Sequence, residues 1–219
     1  MSRLNSLVRA RAVLGALGAV ALLAGAAAHA QTISDYSFES PSVGSGYVYD
    51  PSGVPGATFT GGAGVQGNGS AWGFTTAPDG TQTAFLQSYG GGNGSITLDV
   101  TGLTPGTYTA NFYTEARPGY DPVDVLVTWD GATVETFVNS DSFAWQGGPS
   151  FPFLVGTTSG QIEFQTAFVP LTGDNDVGID DVTFTRIGGV PEPVAWALML
   201  VGVGGVGAML RRSRAAVTA

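Results

Sequence analysis

Between residues 31 and 186 the apolar side chains recur with period two, in runs too short to build long helices. Val123, Val125, Val127 and Trp129 share one face, and Asp130-Gly131 follows before residues 133–138 resume the run. Asp-Gly between two such runs is the strongest two-residue hairpin signal in the chain, because these residues accept the positive φ that a tight hairpin turn demands. Ile162 and Phe164 alternate with Gln161, Glu163 and Gln165, and Val182 and Phe184 mark a last strand. Residues 95–100 and 107–112 also alternate, around Thr101-Gly102-Leu103-Thr104-Pro105-Gly106, which predicts a hairpin-like pair. Nothing here has the period of about 3.6 residues that marks an amphipathic helix. Short strands between Gly- and Pro-bearing loops predict an all-β sandwich. Residues 61–73 are glycine-rich, but no lysine follows and no strand-to-helix unit surrounds them, so they read as a surface loop rather than a phosphate cradle.

The two ends have another character. Arg3, Arg9 and Arg11 precede an apolar stretch over residues 12–28, and Ala28-His29-Ala30 is an A-x-A cleavage site. Residues 1–30 are therefore predicted to be a secretory signal peptide, with the mature chain starting at Gln31. At the other end Val190-Pro191-Glu192-Pro193 leads into an uncharged run over residues 194–210, followed by Arg211-Arg212-Ser213-Arg214. As a helix that run is about 26 Å long, the short end of what spans a bilayer. The arginines belong on the cytoplasmic side, leaving residues 215–219 as a cytoplasmic tail and the folded part across the membrane. Pro191 and Pro193 keep Glu192 out of any helix or ladder, in an extended segment that a membrane enzyme can grip.

Residues 31–189 form one predicted domain. Sixteen Asp or Glu against Arg117 and Arg186 leave it with a net charge of −14. Such a surface repels nucleic acid and anionic membranes and attracts divalent cations. The only histidine, His29, departs with the signal peptide, and the chain has no cysteine and no lysine. That excludes a Ser-His-Asp triad, a cysteine nucleophile, a lysine Schiff base and a His/Cys zinc site.

Residues 190–214 closely resemble the PEP-CTERM sorting signal of Gram-negative bacteria. The likeness rests on Val190-Pro191-Glu192-Pro193, on Trp196-Ala197-Leu198-Met199-Leu200, on the glycines at 202, 204, 205 and 207, and on the arginine end. It departs in having Val194-Ala195 where Ser or Thr often follows the motif. The resemblance implies an exosortase as partner, reading Pro191, Glu192 and Pro193. Export would use the Sec translocon and signal peptidase. The helix would anchor the chain transiently in the inner membrane before delivery to the outer surface or the extracellular polysaccharide matrix. The domain itself resembles galactose-binding-like jelly rolls, which include many carbohydrate-binding modules. The matching stretches are Asp35-Tyr36-Ser37-Phe38-Glu39 and Gly178-Ile179-Asp180-Asp181-Val182-Thr183-Phe184, read as first and last strands, with the turn at 102–108 and the run at 78–87. That resemblance implies a structural Ca²⁺ held by Glu39, Asp180 and Asp181. Asp174-Asn175-Asp176 lacks EF-hand spacing and reads as a loop.

Sugar sites pair aromatic faces with polar groups, and the loop residues suited to this are Tyr89, Arg117, Tyr120 and Trp145, whereas Trp72 and Trp129 read as core. The leading expectation is a non-enzymatic surface or matrix protein that binds polysaccharide. The alternatives are a purely structural surface protein without a small ligand, and a secreted glycoside hydrolase using two carboxylates.

Overall fold

The computed structural model describes residues 32–33, 36–89, 92–138, 143–167, 174–187 and 200–201. The predicted signal peptide, the predicted sorting motif and most of the C-terminal apolar run lie outside the described residues. Among the described residues no helix is long and apolar enough to cross a membrane.

Among the described residues fourteen strands follow one another: β1 (Thr32–Ile33), β2 (Tyr47–Tyr49), β3 (Ala57–Thr60), β4 (Ala63–Gly67), β5 (Gln82–Tyr89), β6 (Gly92–Asn93), β7 (Ser95–Thr101), β8 (Gly106–Ala116), β9 (Asp124–Trp129), β10 (Ala132–Val138), β11 (Gln146–Gly147), β12 (Pro152–Val155), β13 (Ser159–Thr166) and β14 (Asn175–Ile187). They form a jelly-roll sandwich of two sheets. The first runs β1-β7-β13-β9-β10, with β3 also on β7. The second runs β11-β8-β14-β5-β4-β2, with β12 on β8 and β6 on β5.

Between the sheets lies the core expected from the alternating runs. Val123, Val125, Val127 and Trp129 are buried together with Ile162, Phe164, Val182 and Phe184. The Asp130-Gly131 hairpin joins β9 to β10, with φ of 47° and 79° at its two turn residues.

Three expectations change. The pair around residues 101–106 is not a hairpin: β7 belongs to the first sheet and β8 to the second. The segment is an arch between sheets, fastened by Tyr108, whose hydroxyl accepts the Thr104 N–H at 3.1 Å and donates to the Thr104 carbonyl at 3.0 Å. The glycine-rich stretch is not all surface loop, because β4 inside it is buried along its whole length. Its glycines permit close approach: a Cβ on Gly64 would collide with the Val48 carbonyl oxygen and the Phe85 ring. Residues 36–39 are not a strand. Phe38 instead drops into the core at φ 58°, and β1 before it supplies the opening strand.

The last strand changes parity halfway. Val177 and Ile179 face the core, and then a bulge at Asp181 (φ 49°) shifts the register against β8, so that Val182 and Phe184 face it instead. An extra residue at a bulge does this, since one step along a strand reverses its faces. Asp176, Gly178 and Asp180 are thereby left on the outer face of the second sheet.

Candidate functional site

That outer face carries a second apolar cluster, Trp72, Phe74 and Phe85, with Trp145 packed against it. Alternation along β5 puts Phe85 outward while Ala84 and Leu86 enter the core. The connection over residues 68–80 folds back across the sheet to bring Trp72 and Phe74 down. Hydrogen bonds within it and to the sheet hold it there. The buried Glu115 carboxylate accepts the Thr75 N–H at 3.0 Å and the Thr75 hydroxyl at 2.7 Å. Asn68 Oδ1 accepts the Ala77 N–H at 2.8 Å, and Trp145 Nε1 donates to the Thr75 carbonyl at 3.3 Å.

Trp72 is only 5% exposed because other rings and a guanidinium cover it. Tyr47 and Tyr49 of β2 meet it edge-on at 5.3 and 5.9 Å, and Phe85 lies 4.6 Å away. The Arg117 guanidinium stacks between Trp72 at 4.3 Å and Tyr120 at 4.1 Å. Arg117 Nη1 donates to Asp174 and Asp176 at 2.7 and 2.8 Å and to the Asp174 carbonyl at 3.0 Å. Gln87 Nε2 donates to Asp174. Tyr47, Tyr49 and Tyr120 remain 45%, 40% and 39% exposed, so three ring faces stand at the rim of this stack.

Asp176 is fully buried, and its Oδ1 lacks a hydrogen-bond partner among the described residues. Burial pushes its carboxyl up to about 8; Arg117 works against this and Asp174 with it. Burial outweighs the arginine because that one guanidinium is shared with Asp174.

Of the residues singled out in the sequence, Arg117 and Tyr120 meet directly, and Trp145 joins the same cluster through Phe74 at 6.0 Å. Tyr89 shares the outward face of β5 with Phe85 and Gln87, but it is 65% exposed and makes no ring contact with the group. Trp129 lies in the core as expected. Trp72 is buried as expected, but in the outer cluster. Asn175 and Asp176 begin β14, with Asp174 just before it, and Asp174 and Asp176 pair with Arg117, so the stretch is not a plain loop. Tyr47 and Tyr49 are not among the residues expected from the sequence; their i, i+2 spacing in Gly46-Tyr47-Val48-Tyr49 is the strand signal that puts them on one face.

Glu39, Asp180 and Asp181 all belong to the region where the opening segment meets the last strand, and the Val182 N–H donates to the Tyr36 carbonyl there at 3.0 Å. Glu39 and one oxygen of Asp180 face donors. Glu39 accepts the N–H groups of Thr81 and Gln82 at 2.8 and 2.7 Å and the Thr81 hydroxyl at 3.0 Å. Asp180 accepts the Asp79 N–H at 3.0 Å. Two carboxylates thus hold the turn at 79–82. N–H groups aimed at a carboxylate stabilise its charge as a cation would. Among the described residues no three acidic or histidine side chains are grouped to hold a metal ion.

No protein-family profile and no curated protein sequence matches this chain. Solved structures do resemble it. The carbohydrate-binding module TmCBM61, solved in complex with β-1,4-galactotriose, aligns with TM-score 0.51 and 14% identity over 72% of this chain and 99% of its own. A native family 35 carbohydrate-binding module from Clostridium thermocellum aligns with TM-score 0.45 and 15% identity, over 72% and 98%. The CBM22-1 xylan-binding domain of Paenibacillus barcinonensis Xyn10C gives 0.43 and 14%, over 66% and 94%. At such identities the likeness is one of fold alone: the described residues between 32 and 187 form a jelly-roll β-sandwich.

Proposed function

We propose that this is an exported, non-catalytic surface or matrix protein whose jelly roll binds polysaccharide on the outer face of its second sheet. The observation that carries the reading is the rim of three half-exposed tyrosines, Tyr47, Tyr49 and Tyr120, around the Trp72–Arg117 stack. Sugar rings lay apolar C–H faces on aromatic rings and present hydroxyls to neighbouring carboxylates and guanidinium groups. Asp174 and Arg117 stand where such hydroxyls would fall. The likeness of fold to TmCBM61, a galactotriose complex, supports the same class of ligand.

The export route is the second part of the proposal. It rests on the A-x-A site at 28–30 and on the order of motif, apolar run and arginines over residues 190–214. An exosortase would act at Pro191-Glu192-Pro193, and the domain would end at the outer surface or in the matrix.

The test is a glycan array probed with the purified full-length protein and with Tyr47→Ala/Tyr49→Ala. Binding to a polysaccharide, lost in the double variant, is the expected result. No binding to any glycan would leave a purely structural surface protein. Release of reducing sugar from a bound polymer would indicate the hydrolase instead.

A further inference from the structure

Building on this binding role, we propose that the ligand is a neutral, hydroxyl-rich glycan, and that the site excludes uronate, sulfate and phosphate polymers. Anionic polysaccharides need uncommitted cations, and residues 31–189 have only Arg117 and Arg186, with no lysine. Arg186 lies near the far end of β14 from Asp176 and donates to the Pro105 carbonyl at 3.0 Å. Arg117 is at the site, but its Nη1 serves Asp174 and Asp176 together. One guanidinium against two carboxylates leaves a cluster that is neutral or singly negative, and in neither state does it hold a spare positive charge.

At the rim, Asp174 and the exposed Asp121 would meet a sugar hydroxyl with a charge-assisted bond and an anionic group with repulsion. The net charge of −14 adds a field of the same sign at longer range.

The experiment is retention of the purified full-length protein on immobilised polymers. Neutral β-1,4-galactan and xylan are compared with polygalacturonate, alginate and dextran sulfate, each with calcium and with chelator. The expected result is retention on at least one neutral polymer, and less than about a tenth of that signal on every anionic one. Retention on an anionic polymer equal to the neutral signal overturns this inference while leaving polysaccharide binding intact. Retention on none overturns both. Asp174→Asn, which releases part of the Arg117 charge, should gain retention on polygalacturonate that fades as salt is raised. If this variant retains neutral polymer but still rejects the anionic one, Asp174 is not what sets the exclusion. The wild-type comparison decides the proposal whatever the variant does.

Discussion

Asp180, on the last strand, accepts the backbone N–H of Asp79 at 3.0 Å across 101 residues of chain. It is fully buried, and its Oδ1 has no partner among the described residues. Burial pushes its carboxyl up to about 8, opposed by the N–H groups of Asp79 and Asp181 and assisted by their negative charges. Asp176 is raised to a similar value, chiefly by burial. An acid whose pKa is higher folded than unfolded holds its proton more tightly in the folded state. Its stabilising contribution is complete below the ordinary value of 3.8 and disappears as pH rises through about 8. The melting temperature should therefore fall between pH 5 and pH 9, by about 5 °C or more. Asp180→Asn, neutral at every pH, should flatten the slope. Thermal melts followed by circular dichroism check this, and a melting temperature that rises over the interval contradicts it.

Glu39 has a similar task without deep burial. It accepts two N–H groups and a hydroxyl of Thr81–Gln82, and a Cβ on Gly80 would collide with it. Glu39→Ala strands those donors and should cost about 1–3 kcal/mol. Because the oxygens face donors, calcium and magnesium at equal ionic strength should shift the melting temperature equally. A calcium-specific rise that Glu39→Gln abolishes would establish the proposed metal site.

Gly178 lies under Trp145: a Cβ there would meet the far edge of the indole. Gly178→Ala should push the ring outward, shift tryptophan fluorescence to the red and weaken glycan binding severalfold. Gly147→Ala is the control, since open space surrounds that position. Identical emission spectra for the two variants would show that Trp145 does not depend on the bare backbone beneath it.

How much of this could be read in advance follows from how local each signal is. The Val123–Trp129 alternation and the Asp130-Gly131 turn involve neighbours in sequence, and the structure keeps them. β4 was hidden because Ala63, Gly64 and Gly67 are too small to display a period, although every residue of the strand is buried. The arch at 101–106 has the residues of a hairpin turn, and only the positions of the two sheets decide otherwise. The pairing of Arg117 with Asp176 spans 59 residues, and no spacing rule predicts it. Trp72 looked like core because burial was inferred from apolar neighbours, which cannot tell the inside of a sandwich from a covered outer face.

Processing can be tested apart from binding. Glu192→Ala should leave full-length precursor in the membrane fraction, seen by immunoblot of fractionated cells. Release of mature protein at the normal rate would remove Pro191-Glu192-Pro193 from the account.

The most direct measurement is the affinity of the purified full-length protein for its best neutral polysaccharide, by titration calorimetry, in wild type, Tyr47→Ala/Tyr49→Ala and Tyr89→Ala. The double variant should bind at least about tenfold more weakly, a loss of roughly 1.4 kcal/mol, with an unchanged circular dichroism spectrum. Tyr89→Ala should stay within about twofold of wild type. Undiminished affinity in the double variant, or a loss confined to Tyr89→Ala, would contradict the assignment of binding to the Trp72–Arg117 face.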